Sequence, residues 1–200
     1  MEVLRTWKFR KSDTIFREKE VCLLHGVTSS GKTEVYVRLI DEVLKMGRQV
    51  LYMLPEIAIT TQITERLAKL FGDKLLVYHS KFSDNERVEV WNRLLHTGEP
   101  MLVLGVRSSL FLPFKDLGLI IIDEEHENTY KQQDPAPRYH ARNAAIVLAS
   151  MYGAKTLLGT ATPSVETWHN ATSGKYGLVE LKERYKEIQL PEIIPVDIKE

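Results

Sequence analysis

Residues 26–33 read GVTSSGKT, which matches the phosphate-binding pattern G-x-x-x-x-G-K-[ST], also known as Walker A. Two glycines, Gly26 and Gly31, allow the backbone to curl so that successive N–H groups face one anion. Lys32 is then placed to neutralise the β- and γ-phosphates of a nucleotide, and the Thr33 hydroxyl to ligate Mg²⁺. A glycine turn between a strand and a helix is the simpler alternative. We predict a nucleoside triphosphate site whose phosphate-binding residues are Gly26, Thr28, Ser29, Ser30, Gly31, Lys32 and Thr33.

A second group of candidate residues, Asp123-Glu124-Glu125-His126, follows an apolar run at Leu119–Ile122. A carboxylate at the end of a buried strand is costly unless a cation or a hydrogen-bond donor accompanies it. In a nucleoside triphosphatase that cation is Mg²⁺, held by Asp123 together with Thr33. Glu124 would then orient or deprotonate the attacking water. An acidic loop at a strand end is the alternative, and the upstream phosphate loop favours the catalytic interpretation.

The elements that must position these residues alternate between short β-like runs and helical patterns. Strands are predicted at Val21–Leu24, Val50–Leu54, Leu75–His79, Met101–Leu104, Leu119–Asp123 and Thr156–Gly159. Helices are predicted at Thr33–Met46, Ile59–Phe71, Asp84–His96, Arg142–Tyr152 and Val165–Ser173. This alternation predicts an α/β fold, with a mostly parallel sheet covered by helices on both faces. In such sheets ligands bind at the carboxyl ends of the strands, which is where the phosphate loop begins.

Three regions follow from the same pattern. Residues 1–20 are read as a short N-terminal segment with a helical pattern near Asp13–Lys19, residues 21–181 as the α/β domain, and residues 182–200 as a linker. With 200 residues, 44% of them hydrophobic, the chain fits one globular domain with a sizeable core. We find neither a signal peptide nor a membrane-spanning run, and we expect a cytoplasmic protein with no membrane partner.

Charge and cysteine content exclude several function classes. Lys plus Arg and Asp plus Glu number 27 each, so the formal net charge is zero and any nucleic-acid binding must come from a local patch. The single cysteine, Cys22, excludes a disulfide framework and a cysteine-rich zinc site within this sequence. Because Cys22 lies in an apolar run, we expect a small buried side chain rather than a reactive thiol.

The segments D-E-E-H at 123–126 and G-T-A-T-P-S at 159–164 resemble motifs II and III of superfamily 2 helicases and translocases. Four further stretches narrow the resemblance to the bacterial primosomal replication-restart helicases. They are GVTSSGKTEVY from residue 26, LPEIAIT from residue 54, YHS with SDNER between residues 78 and 87, and GVRSSLF from residue 105. The resemblance covers about Val21–Leu181 and implies the first RecA-like P-loop NTPase lobe of such a helicase. It also implies that His126 couples nucleotide state to DNA contacts, and that Thr160 and Thr162 link the ATP site to the strand-binding face.

The segment that follows motif II resembles the aromatic-rich loop of that family. Binding of a single strand needs stacking surfaces together with positive or donor groups along the phosphates, and this loop contains both. In motif Ib, Arg107 and Ser108 would contact the DNA backbone. Local packing of the loop, and a plain surface charge at Arg107, are the alternatives. The predicted strand-binding residues are Arg107, Ser108, Tyr130, Lys131, Gln132, Arg138, Tyr139, His140 and Arg142.

The resemblance implies an ATP- and Mg²⁺-dependent 3′–5′ DNA helicase that acts in replication restart. It also implies single-stranded and forked DNA, primosome proteins and single-strand-binding protein as partners, and zinc in a part of the family's full-length protein that this chain lacks. The second lobe, with its arginine finger, is expected beyond the linker, so the isolated lobe should hydrolyse ATP poorly. Residues 1–20 contain no glutamine, which leaves adenine recognition without a candidate.

Two other functions fit the same motifs. One is a superfamily 2 DNA translocase subunit, such as that of a restriction system. The other is a nucleotide-binding regulatory module that has lost catalysis. The presence of Lys32, Thr33, Asp123 and Glu124 together argues against the second alternative, because a module without catalysis has no need of all four.

Overall fold

The predicted alternation of strands and helices is present in the computed structural model, which describes residues 18–27, 30–79 and 82–181. Within these ranges the chain forms seven strands and five α-helices. The strands are β1 Val21–Gly26, β2 Gln49–Met53, β3 Leu75–Tyr78, β4 Leu102–Gly105, β5 Leu117–Asp123, β6 Lys155–Thr160 and β7 Gly177–Leu181. The helices are α1 Lys32–Lys45, α2 Thr61–Phe71, α3 Asp84–His96, α4 Ala141–Tyr152 and α5 Val165–Thr172.

All seven strands lie in one sheet, in the order β3-β4-β2-β5-β6-β1-β7, and every neighbouring pair is parallel. Helices α1 and α2 cover one face, while α3, α4 and α5 cover the other. The α/β class, the parallel sheet and the helices on both faces are therefore confirmed. Among the described residues, no helix combines the length and apolar character that crossing a membrane requires.

Burial on both faces explains the continuously apolar strands. In β1, Leu23 packs into the layer of α3, α4 and α5, whereas Leu24 packs into the layer of α1 and α2. Each buried side chain of this size contributes about 1.5–3 kcal/mol of transfer free energy. Cys22 packs beside Leu24, and burial raises the pKa of its thiol to about 11. The expectation of a buried cysteine is thus confirmed.

One strand was missed by the sequence reasoning. Among the described residues, strand β7 lies at the edge of the sheet and pairs with β1. Its five residues alternate between buried and more exposed positions, with Glu180 on the outside, and so short a run resembles the end of a loop. The boundaries of the predicted elements otherwise shift by at most two residues, as helix and strand ends commonly do. The helical pattern near Asp13 and the linker lie almost entirely outside the described residues.

The topology brings the chemistry-bearing segments to one edge of the sheet. Strands β5, β6 and β1 are neighbours and run in the same direction. The phosphate loop follows β1, Asp123 ends β5, and Thr160 ends β6. Because parallel strands end at the same edge, these three segments meet there, as the sequence predicts.

Candidate functional site

The phosphate loop forms a tight turn between β1 and α1. Gly31 precedes α1 with a left-handed φ of 89°, which glycine adopts without strain. A Cβ atom on Gly26 would stand 2.5 Å from the Ser30 Oγ atom, so this position also requires glycine. No side chain of the described residues caps the first turn of α1, which leaves the amides of Lys32 and Thr33 available for an anion. Thr28 and Ser29 lie outside the described residues.

Two polar groups in this loop suit a phosphate ligand. The Lys32 ammonium donates to the Gly26 carbonyl at 2.7 Å, so it already reaches back over the loop. The Ser30 hydroxyl is buried and has no hydrogen-bond partner among the described residues. A buried hydroxyl without a partner is costly, and a phosphate oxygen would accept its hydrogen bond. The residues of this loop therefore fit a nucleotide phosphate group.

Asp123 stands opposite the phosphate loop, at the end of β5. Hydrogen bonds from two tyrosines orient its carboxylate: Tyr36 donates to Oδ1 at 2.8 Å and Tyr52 donates to Oδ2 at 3.4 Å. Burial raises the pKa of Asp123, while the Tyr36 hydrogen bond and then the Lys32 charge act in the opposite direction. A carboxylate and the Thr33 hydroxyl are oxygen ligands of the type that Mg²⁺ prefers. The donor set is consistent with a magnesium ion at the phosphates.

Tyr36, Tyr52 and Tyr130 form a buried cluster around Asp123 that the sequence analysis did not identify. The rings of Tyr36 and Tyr52 pack edge to face with centroids 5.5 Å apart. Gly159 makes room for this cluster, because a Cβ atom there would lie 1.7 Å from the Tyr36 hydroxyl oxygen. Tyrosine at core positions of a helix and a strand is a usable signal, since a buried phenol needs a partner.

Tyr130 corrects one prediction. Its side chain is 1% exposed, and its hydroxyl donates to the backbone carbonyls of Asp123 at 2.7 Å and Met53 at 3.2 Å. The ring is buried in the layer of α3, α4 and α5, so it offers no surface on which a base could stack. Tyr130 instead fixes the end of β5, directly under the candidate catalytic carboxylates.

The structure brings Glu124, His126, Thr160 and Thr162 together at the ends of β5 and β6. Glu124 adopts a left-handed φ of 47°, and burial followed by the nearby Asp123 charge raises its pKa. His126 Nδ1 lies 2.7 Å from the Thr160 hydroxyl and 3.6 Å from Glu124 Oε2. Its Nε2 atom lies 3.3 Å from the Thr162 hydroxyl. His126 thus joins motif II to motif III, while its coupling role stays a prediction.

Glu125 is the site residue that the sequence analysis overlooked, and it is fully buried. Its Oε2 atom accepts from Arg142 Nη1 at 2.7 Å and from the Thr167 hydroxyl at 2.9 Å, and its Oε1 atom accepts from the Ser164 amide at 2.7 Å. Arg142 is therefore a second correction: only 10% of its side chain is exposed, and its guanidinium is committed to this network rather than to DNA. A buried arginine needs a carboxylate partner, and Glu125 supplies it.

Other predicted strand-binding residues lie in the exposed loop formed by residues 131–140, here called the hairpin loop. Lys131 and His140 pair as an isolated antiparallel bridge at its base. Lys131 donates to the Arg138 carbonyl, and Gln132 Nε2 donates to the Pro135 carbonyl at 2.8 Å, so both side chains help to shape the loop. Arg138 projects with 68% of its side chain exposed. It is the more accessible cation of the hairpin loop.

Arg107 and Phe111 of the segment after β4, together with Tyr139 of the hairpin loop, form a partly exposed surface, here called the platform. Phe111, whose aromatic ring the sequence analysis did not single out for DNA contact, is 59% exposed and packs edge to face on Tyr139, with centroids 5.2 Å apart. Arg107 Nη1 donates to the Thr129 carbonyl at 3.0 Å and remains partly exposed, as does Ser108 in the same 3-10 turn, Arg107–Phe111. This platform combines rings with a cation, which is the composition that single strands require.

His140 borders a polar cavity of about 590 Å³ that His126 and Arg142 also line. Its Nδ1 atom is buried and has no hydrogen-bond partner within the described part of the chain. Burial, followed by the positive charges of Arg142 and Lys131, lowers the pKa of His140. His140 thus faces this cavity at the base of the hairpin loop, and it is not part of the platform that contains Phe111 and Tyr139.

Comparison with known proteins agrees with this geometry. Residues 11–171 match the DEAD/DEAH box helicase family. The chain is 45% identical over 183 residues to Replication restart protein PriA of Bacillus subtilis (strain 168), which covers 92% of this chain and 22% of that protein. It is 46% identical over 190 residues to the protein of the same name from Rickettsia conorii, covering 94% of this chain and 29% of that protein. The resemblance to replication-restart helicases is thus confirmed, and the chain spans less than a third of these relatives.

Solved structures show the same fold at low sequence identity. RecG bound to a three-way DNA junction superposes with a TM-score of 0.61 at 21% identity, over 91% of this chain and 24% of that one. The Pyrococcus furiosus Hef helicase domain gives a TM-score of 0.60 at 18% identity, over 90% of this chain and 39% of that one. The expected RecA-like fold is therefore confirmed. The family match over most of its length establishes that the chain belongs to the DEAD/DEAH box helicases.

Proposed function

We propose that this chain is the ATP-binding lobe of an ATP-dependent 3′–5′ DNA helicase that acts in replication restart. The observation that carries the proposal is the meeting of the phosphate loop, Asp123 and the His126–Thr160 contact at one edge of the sheet. Similarity to relatives named Replication restart protein PriA supports the biological role. The 3′–5′ direction rests on the resemblance to the replication-restart helicases.

The nucleotide chemistry is divided among a few side chains. Lys32 exchanges the Gly26 carbonyl for the β- and γ-phosphate oxygens of ATP, and the Ser30 hydroxyl gains a phosphate acceptor. Asp123 and Thr33 would hold the Mg²⁺ that accompanies ATP, which would supply charge neutralisation at the phosphates. Glu124 orients the attacking water, and its raised pKa suits a group that accepts a proton.

DNA binding is assigned to the platform and the hairpin loop. Phe111 supplies an exposed ring and Tyr139 a partly exposed one for base stacking, while Arg107 and Arg138 supply positive charge along the phosphates. Single-stranded DNA and forked DNA are the proposed substrates. Such contacts position the strand without reading its sequence, which is what a helicase requires.

The lobe is proposed to work with a second one in the complete protein. Residues 21–181 would form the first lobe and residues 182–200 the linker to the second. An arginine finger on the second lobe would complete the hydrolysis site and is typically worth about 10³-fold or more, so the chain alone should turn over ATP poorly. Zinc, primosome proteins and single-strand-binding protein are proposed for the complete protein.

Nucleotide binding by the 200-residue chain tests the proposal directly. We expect a fluorescent ATP analogue to bind in the presence of Mg²⁺, and the Lys32→Ala substitution to raise Kd about tenfold or more, because a charge-assisted phosphate contact is lost. Lys69→Ala, which removes a lysine from the last turn of α2, is the matched control and should leave Kd unchanged within about twofold. Equal binding by the Lys32 variant would contradict the proposed nucleotide site.

A further inference from the structure

We propose that Glu125 and Arg142 are a positioning pair that transmits movements of the hairpin loop to Glu124 and His126. The inference rests on the proposed function and assigns to these two residues the coupling between DNA contact and the nucleotide site. Neither of them contacts a nucleotide or DNA in this proposal. They act through the backbone segments to which their side chains and main chains belong.

Glu125 holds three segments of the chain at once. Its carboxylate accepts the Ser164 amide, the Thr167 hydroxyl and the Arg142 guanidinium, all within 2.9 Å. Its own amide donates to the Gly159 carbonyl at 3.1 Å, near the end of strand β6, where motif III begins. The start of α5, the start of α4 and the end of β6 are therefore joined at one residue that directly follows β5.

Arg142 is the link from this point to the hairpin loop. It is the second residue of α4, a helix that begins directly after the loop closes at the Lys131–His140 bridge. Its Nη1 atom also donates to the Ser164 hydroxyl at 2.6 Å. The first turn of α4 is continuous with His140, whose carbonyl accepts the Ala144 amide at 3.0 Å. A displacement of the loop must therefore move the Arg142 backbone.

The energetics favour movement of the network as a unit. A buried carboxylate that loses its guanidinium partner is strongly destabilising, so the two charges stay together when α4 shifts. Glu125 is covalently joined to Glu124 on one side and to His126 on the other. A shift of Glu125 therefore alters both the water-orienting carboxylate and the contact from His126 to Thr160.

The test measures coupling in the full-length protein that contains this chain. The Kd for a single-stranded oligonucleotide is determined with and without a non-hydrolysable ATP analogue, and the ratio of the two values is the coupling factor, typically about 5- to 150-fold. The variant Glu125→Gln/Arg142→Met removes both charges while the amide still accepts from Ser164. We expect its coupling factor to fall to about 1, while thermal unfolding shows a folded protein.

A milder pair of variants keeps the test decisive if the double variant fails to fold. Thr167→Val removes only the hydroxyl that donates to Glu125, and we expect the coupling factor to fall about threefold or more. Thr172→Val removes a hydroxyl of the same helix that donates to the Trp168 carbonyl, and it should leave the factor unchanged. A folded double variant, or a Thr167 variant, with the unsubstituted coupling factor would overturn the inference. Absence of coupling in the unsubstituted protein would instead refute the proposed function.

Discussion

At the residue scale, hydroxyl groups control the position of Asp123. Three tyrosines from different elements reach the same residue, two at its carboxylate and one at its carbonyl. Each phenol is buried, and burial raises its pKa well above the usual value, so all three remain donors across the physiological range. The carboxylate is thereby oriented before any ligand arrives, which lowers the cost of binding.

Because Gly159 packs closely against the Tyr36 hydroxyl beside Asp123, we expect a larger residue at position 159 to destabilise the protein. In Gly159→Ala the new methyl group would overlap the Tyr36 hydroxyl, 1.7 Å away, and would force the phenol off Asp123. We expect the free energy of unfolding to fall by about 1–3 kcal/mol, as is usual for overpacking. Urea denaturation of the chain measures this change. Gly98→Ala is the control, because a Cβ atom there meets nothing within 4 Å. Equal stability of the two variants would contradict this prediction, because it would show that the tyrosine cluster accommodates the methyl group without cost.

At this scale, the sequence predicts which residues lie together where a motif fixes both residue type and backbone geometry. The phosphate loop, Asp123 and the adjacent motifs of His126 and Thr160 belong to that class. The prediction failed for Tyr130 and Arg142, whose side chains point inward. Residue type alone cannot give the direction of a side chain in an irregular loop, because that direction depends on contacts distant in sequence, such as the pair of Arg142 with Glu125. Glu125 was overlooked for the same reason.

At the element scale, strand order accounts for the whole site. Because β6 lies between β5 and β1, motif III is adjacent both to the phosphate loop and to motif II. His25, near the end of β1, contacts the Ala161 carbonyl at 3.2 Å, which adds a direct link between β1 and motif III. The parallel sheet could be predicted from the alternation of elements, but the order of its strands could not, since it depends on which apolar faces pack together.

The platform is built from two separate segments of the chain, and we expect a side chain from each of them to contribute to DNA binding. Phe111 belongs to the 3-10 turn after β4, whereas Tyr139 belongs to the hairpin loop, and their rings meet at 5.2 Å. We expect Phe111→Ala and Tyr139→Ala each to weaken single-strand binding by about 1–3 kcal/mol, because each variant removes a stacking surface. Fluorescence anisotropy with a labelled oligonucleotide and the full-length protein measures this effect.

Leu70→Ala provides the control for the platform variants. Leu70 is an apolar side chain on α2 that is 54% exposed and lies outside the platform. Its loss should leave oligonucleotide affinity unchanged within about twofold. Unchanged affinity in both platform variants would show that the strand follows another path across the lobe.

At the scale of the whole molecule, a balanced charge shapes the interaction with DNA. With 27 basic and 27 acidic side chains, the chain has no overall positive field to attract a polyanion. Affinity must come from the local platform and from the second lobe that we propose. Weak local affinity would suit the proposed helicase, which must release DNA when its nucleotide state changes. The chain spans 22% of its Bacillus subtilis relative. The proposed sharing of DNA contacts between the platform and a second lobe therefore concerns the complete protein.

The most direct test of the account is the rate of ATP hydrolysis by the full-length protein as single-stranded DNA is added. The account predicts that DNA raises the rate about tenfold or more, and that Glu124→Gln lowers the DNA-stimulated rate by about 10²-fold or more. Glu89→Gln, an exposed carboxylate on α3, should hydrolyse ATP as the unsubstituted protein does. The central claim is that this edge of the sheet is a DNA-coupled ATP site. An ATP hydrolysis rate that does not change when DNA is added, or that stays normal in the Glu124 variant, would contradict it.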